Sequence, residues 1–154
     1  MNKKEIVFVD MDGVLADLEE KAKKTDPDFG TPRQKIDSRP YRKEGFYRDL
    51  KPIDGAIEGY KKLTEKYDCY ILSAPSWRNP SSYSDKRLWV EEHLGESANK
   101  RLVLSHNKGL FQGRALIDDR LTYGVKNFQG EHIHFGSEKF PNWKTVLHYL
   151  LSTE

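Results

Sequence analysis

Ile6-Val7-Phe8-Val9-Asp10-Met11-Asp12-Gly13-Val14-Leu15-Ala16-Asp17 opens with four apolar, mostly β-branched residues and then sets two carboxylates one residue apart. Such a run reads as a short buried strand, with Asp10 and Asp12 just beyond its C-terminal end. Two carboxylates at that spacing can meet one hard cation, while Gly13 permits a sharp turn that brings backbone N–H groups close to a bound anion. The combination suits phosphate chemistry.

Composition bounds what this stretch can belong to. The chain has 154 residues, 36% hydrophobic and 32% charged, which fits one domain able to bury a core. Its 26 basic and 24 acidic residues are mixed along the sequence, so nothing resembles a nucleic-acid footprint. Cys69 is the single cysteine, which excludes an internal disulfide or a cysteine-built zinc site and fits a reducing compartment. Met-Asn-Lys-Lys-Glu leads into an apolar run too short for a signal segment or a membrane span, so a cytoplasmic location and no membrane partner are expected.

Outward from the first strand, Leu15 to Lys24 has helical composition, and Thr25 to Pro40 carries three prolines and a glycine. About 17–50 therefore reads as a small polar cap insertion covering the site, within a single domain whose core is 1–16 and 51–154. Gly45-Phe46-Tyr47 near its end offers aromatics either to a ligand or to the insertion's own packing. A helix is predicted over Ala56 to Lys66 with Ile57, Tyr60 and Leu63 or Thr64 on one face. Strands follow at Asp68 to Ser73, Arg101 to Ser105, Ala115 to Asp119 and around His132 to Phe135. Helices follow from about Asp85 to Leu94, stopped by Gly95, and from Trp143 to Leu151. Strands separated by helices or long connections argue for an α/β fold with a parallel sheet and helices on both faces.

Ligands of such a sheet bind outside the C-terminal ends of its strands, where the strand order reverses. Asp10 and Asp12 follow strand one, Ser73 ends strand two, Lys108 follows strand three, and Asp118-Asp119 end strand four. Carboxylates brought together there repel one another unless a divalent ion holds them, and oxygen-only ligands point to Mg²⁺. With that charge cancelled, Asp10 can attack a phosphomonoester as nucleophile. Asp12 can serve as the acid and base, and Ser73 and Lys108 can hold the phosphoryl oxygens.

Asp10-Met11-Asp12-Gly13-Val14, the strand ending in Ser73, Lys108, and Leu116-Ile117-Asp118-Asp119 resemble the four motifs of the haloacid dehalogenase (HAD) superfamily of phosphatases. Within it, the longer stretches D-M-D-G-V-L-A-D, G-F-Y-R-D-L-K-P-I-D-G-A, K-R-L-W-V-E-E-H-L-G and L-I-D-D-R look like those of the 5′(3′)-deoxyribonucleotidases. The late N-W-K-T-V-L is similar too. The resemblance implies a HAD-like Rossmannoid three-layer α/β/α fold with a cap after strand one, and hydrolysis of nucleoside monophosphates through an aspartyl-phosphate. It implies Asp10 as nucleophile, Asp12 as acid/base, and Mg²⁺ held by Asp10, the Asp12 carbonyl and Asp119, with Asp118 in support. It also implies phosphate binding by Ser73 and Lys108, and Phe46 lining the nucleoside pocket.

The departures bear on the substrate. The 17–45 stretch is much shorter than the family's usual cap, Leu18 stands where phenylalanine is typical, and motif two reads Ser73-Ala74-Pro75 instead of Thr-Ser-Pro. Ser73 and Ala74 keep the phosphate-binding role, so dephosphorylation is better supported than deoxynucleotide preference. A short cap can leave the site to be closed by a second copy of the chain, which makes a homodimer an expectation. Trp77 lies in a loop from which it can reach the ligand, whereas Trp89 and Trp143 read as core. His132 and His134 share a strand face, and without a third ligand a structural role is expected. The competing functions are a HAD phosphatase for another small ester and a receiver-like module in which phosphorylated Asp10 signals. An acid/base at Asp12 is useful for turnover and unnecessary for a stable phospho-switch.

Overall fold

The computed structural model describes residues 3–26, 28 and 40–152. Among these, five strands form one sheet: β1 (Ile6–Val9), β2 (Asp68–Ser73), β3 (Leu102–Leu104), β4 (Gln112–Asp118) and β5 (Gln129–His134), all parallel in the order β3-β2-β1-β4-β5. The apolar run at Ile6–Val9 is therefore the central strand, and strand order reverses on either side of it. Among the described residues, four helices complete the α/β fold: α1 (Leu18–Thr25), α2 (Ala56–Leu63), α3 (Ser81–Leu94) and α4 (Trp143–Ser152).

Alternation along the strands sorts their side chains onto two faces. Val7, Val9, Ile71, Ala115, Ile117 and Ile133 join the apolar residues buried by the four helices in one large cluster. Phe8, Leu72 and Leu116 point the other way, into a smaller cluster closed by Val125 and Phe128, with Phe8 meeting Phe111 and Phe128 edge-on. Trp89 and Trp143 are core residues as expected; Cys69 is buried too, and burial pushes its thiol up to about 12. Tyr60 and Leu63 bury the predicted face of α2, and Gly59 lets it approach α4 so closely that a Cβ there would lie 2.6 Å from Trp143 Cε3.

Several boundaries move. The third helix begins at Ser81, a turn before the expected Asp85, because Pro80 suits an entry position and Ser82 turns inward to donate to the Ser76 carbonyl at 3.1 Å. The fourth strand starts at Gln112, where exposed polar residues hide its beginning from a hydrophobicity reading. α2 ends at Leu63, before Lys66, and β5 runs from Gln129 to His134. Of the insertion, residues 27 and 29–39 lie outside the described residues. Among the described residues, no helix is long and apolar enough to cross a membrane.

Candidate active site

The turn after β1 is fixed by backbone geometry. The Met11 carbonyl accepts from Val14, Leu15 and Ala16, at 3.2, 2.8 and 2.9 Å, and Trp143 Nε1 donates to the Val14 carbonyl at 2.8 Å. Gly13 has φ +87°, and its N–H donates to Ala16 O at 2.9 Å instead of facing an anion. What its missing side chain admits is Asp119: a Cβ at position 13 would sit 2.1 Å from Asp119 Oδ2.

β1 and β4 are neighbours, so Asp10 and Asp118-Asp119 arrive together at the C-terminal edge of the sheet. Oxygens of Asp10, Asp118 and Asp119 all lie within 4.8 Å of one another. Lys108, just 3% exposed, reaches into this cluster, with Nζ 2.9 Å from Asp10 Oδ1 and 2.6 Å from Asp118 Oδ2. Burial opposes its charge, but the two carboxylates outweigh that and raise its pKa. Asp118 and Asp119 are raised by burial first and by the charge of Asp10 second. Three carboxylates so close, with one lysine among them, hold excess negative charge that a hard cation would relieve.

Ser73 ends β2 with its side chain buried, and Ala74 lines the same cavity as Asp10, Asp12, Lys108 and Asp118. That cavity is about 20 Å³, room for a water-sized guest. Among the described residues, three buried side-chain oxygens have no hydrogen-bond partner, and they are Asp12 Oδ1, Ser73 Oγ and Asp119 Oδ1. Buried polar atoms are normally satisfied, so three orphans on three motifs mark a place built for a ligand. The residues fit a divalent ion: the donors are all carboxylate oxygens, one of them partnerless, in a space that a Cβ at Gly13 would fill.

A second cavity, about 260 Å³, adjoins Asp12 and Asp119 and is walled by Leu18 and Tyr41 of the insertion and by Arg120. Phe46 stands behind this wall. It is 1% exposed, meets Tyr41 edge-on at 5.6 Å, and lies under Lys21 Nζ at 4.8 Å from the ring centroid. Trp77 is 71% exposed and sits edge-on to His106 at 5.7 Å. His106 in turn meets Tyr123, a residue of the small cavity's wall, so Trp77 ends an aromatic row on the rim. His132 and His134 stack at 5.3 Å, and their Nε2 atoms meet the Asp118 and Asp119 carbonyls at 3.0 and 3.2 Å. They brace the backbone of the acidic motif, which is the structural role expected of them.

The sequence reading missed Lys86. Its Nζ lies 2.7 Å from Asp12 Oδ2, and the side chain is completely buried. A helical-period signal was available, since Lys86 falls three and four residues before buried Trp89 and Val90 and therefore shares their face. It assigned no role to Arg120, which ends the L-I-D-D-R stretch, or to Thr122 and Tyr123, and all three line the small cavity.

The profile of the family described as 5′ nucleotidase, deoxy (Pyrimidine), cytosolic type C protein matches residues 28–146. A protein of Vibrio phage KVP40, provisionally named a 5′(3′)-deoxyribonucleotidase, is 46% identical over 149 residues, which cover 97% of this chain and 86% of the phage protein. A Bordetella bronchiseptica protein of the same provisional name is 35% identical over 176 residues, covering 92% of this chain and 95% of its own length. The human cytosolic-type 5′(3′)-deoxyribonucleotidase is 28% identical over 171 residues, covering 92% of this chain and 78% of the human protein. With its all-parallel HAD-like sheet and the acidic cluster at the switch point, this chain belongs to the deoxy (pyrimidine) cytosolic type C 5′-nucleotidase family, a family of phosphoric monoester hydrolases.

Proposed function

We propose that this chain is a Mg²⁺-dependent 5′(3′)-deoxyribonucleotidase that dephosphorylates nucleoside monophosphates through an aspartyl-phosphate on Asp10. The observation that carries the reading is the meeting of Asp10, Asp118 and Asp119 oxygens within 4.8 Å of one another with Lys108 against Asp10 and Asp118, together with the orphaned Asp12 Oδ1, Ser73 Oγ and Asp119 Oδ1 on the same motifs. The names of the phage, bacterial and human relatives support the nucleotide as substrate. The human relative's name also supports a cytoplasmic setting.

Asp10, Asp118 and Asp119 would hold Mg²⁺, with the Asp12 carbonyl completing the protein's share. When bound, the ion supplies positive charge that lets an anionic nucleophile approach an anionic ester. Asp10 attacks phosphorus and the ester oxygen leaves as an alcohol, receiving its proton from Asp12. Asp12, now ionised, takes a proton from the water that cleaves the aspartyl-phosphate, which releases phosphate and restores both carboxyl groups. Ser73 Oγ donates to a phosphoryl oxygen, and Lys108 Nζ balances the charge of the group in transfer.

The small cavity has room for a water-sized guest only, so the nucleoside must lie outside it. The larger cavity under Leu18 and Tyr41 is the natural place, with Phe46 supporting Tyr41 from behind and Arg120 at the junction. Trp77 remains the second candidate contact, through the row that leads by His106 to Tyr123. Every group in this reading comes from one chain, so it needs no second copy. Phosphate release from 5′- and 3′-nucleoside monophosphates, their deoxy forms and sugar phosphates, with Mg²⁺ and with chelator, tests the proposal. Turnover of nucleotides that chelator abolishes supports it. Turnover confined to sugar phosphates, or none on any ester, rejects it.

A further inference from the structure

We infer that Lys86 is a positioning residue: it holds the Asp12 carboxylate so that one oxygen alone is offered to the reaction. The inference rests on the acid/base reading of Asp12 given above. Lys86 Nζ lies 2.7 Å from Asp12 Oδ2, the lysine side chain is 0% exposed, and its other face meets the Tyr47 ring at 4.9 Å. Asp12 is the one carboxylate with which Lys86 forms an ion pair among the described residues.

Stability alone is a poor reason for this arrangement. A lysine taken wholly out of water loses its hydration, and a buried ion pair is often matched or bettered by apolar side chains of the same volume. The Lys86 ammonium is engaged by the Asp12 carboxylate and not held out to a ligand. Its route to the chemistry runs through Asp12. A carboxylate turns readily about its last torsion, which has a broad, roughly two-fold profile. An ion pair on Oδ2 fixes that torsion and leaves Oδ1, the oxygen without a partner, for the ester oxygen and the water.

The lysine itself is clamped from two sides. It rides on α3, whose Trp89 Nε1 donates to the Leu50 carbonyl at 2.8 Å. The returning limb of the insertion is tied to the start of the same helix. Asn79 Nδ2 donates to the Tyr41 and Lys43 carbonyls, each at 2.9 Å, and the Gly45 N–H donates to Ser81 Oγ at 2.9 Å. Tyr47 is thereby kept against Lys86, and the insertion takes part in orienting Asp12.

The test compares wild type, Lys86→Met, Asp12→Asn and the double variant on a deoxypyrimidine 5′-monophosphate. It reads kcat, KM and the acid-quenched phosphoenzyme at steady state. A misdirected acid/base slows both proton transfers, each worth about 10²–10⁴-fold. Lys86→Met is expected to lose about 10²-fold in kcat, with KM within about twofold and phosphoenzyme still detectable, because its formation and its breakdown are both slowed. The double variant is expected to match Asp12→Asn, because a residue acting through Asp12 has nothing left to position. Should Lys86→Met not fold alone, the double variant, which removes both buried charges together, is read against Asp12→Asn. A further loss of about tenfold there overturns the inference. A rise in KM with kcat intact overturns it as well. Wild-type turnover by Asp12→Asn would remove the acid/base reading itself, a result distinct from the failure of Lys86 alone.

Discussion

Gly13 lies directly against the Asp119 carboxylate, so close that a Cβ on residue 13 would stand 2.1 Å from Oδ2 and 2.7 Å from Cγ. With φ at +87°, residue 13 is also in a conformation that side chains disfavour. Gly13→Ala should therefore push Asp119 out of the acidic cluster and weaken divalent-ion binding by tenfold or more, about 1.4 kcal/mol or above. Titration calorimetry with Mg²⁺ checks this, and wild-type affinity in the variant would contradict it.

Metal should change how stability responds to pH. Burial and the charge of Asp10 raise the pKa values of Asp118 and Asp119 in the metal-free fold. A carboxyl group with a raised folded pKa contributes fully below its unfolded pKa, and that contribution is lost as pH climbs through the folded value. The metal-free protein should then lose melting temperature between about pH 5 and about pH 8. Mg²⁺ should restore more at the upper end, where the carboxylates it binds are ionised at a cost. Melting curves with Mg²⁺ and with chelator test this, and a Mg²⁺ gain that shrinks with rising pH would oppose it.

Lys108 bridges Asp10 and Asp118. Removing one member of a buried ionic cluster leaves the others uncompensated, at about 3–5 kcal/mol. Lys108→Met should lower metal-free stability by about that amount, and Mg²⁺ should recover part of the loss. Urea unfolding with and without Mg²⁺ is the check. A loss unaffected by the ion would mean that the lysine and the metal act on different groups.

Trp77 ends the row that runs through His106 to Tyr123 at the cavity wall. Exposed as it is, Trp77→Ala should leave the melting temperature unchanged. If the base stacks there, KM for nucleotides should rise about tenfold while that for a small aliphatic phosphate ester stays put. Equal KM values for nucleotides in variant and wild type would leave the Leu18 and Tyr41 wall as the nucleoside contact.

The parts of the site that lie on strand ends were legible in the sequence. Ile6–Val9, Asp68–Ser73 and the apolar end of β4 are buried on both faces, so their hydrophobic runs are continuous and end at Asp10, Ser73 and Asp118. What hid Lys86 was the same rule working against the reader. α3 buries Ser82, Asp85 and Lys86 beside Trp89 and Val90, so its inward face is partly polar and a search for apolar stripes passes over it. Gly13 was legible as a turn residue, but its clearance for Asp119 depends on a residue 106 positions later in the chain, which local sequence does not reveal. Phe46 was left open between ligand contact and packing, and Tyr41, which lines the larger cavity in front of it, drew no reading, because packing decides which aromatic faces the cavity.

The central claim is that Asp10 carries the phosphoryl group of a nucleotide between the two halves of the reaction. Acid quench during turnover of a nucleoside monophosphate labelled in its phosphate, followed by peptide mapping, tests it most directly. The account predicts label on the peptide containing Asp10 in the wild type and none in Asp10→Asn, which also ceases to release phosphate. Phosphate release that persists in Asp10→Asn, or label on another residue, would contradict it.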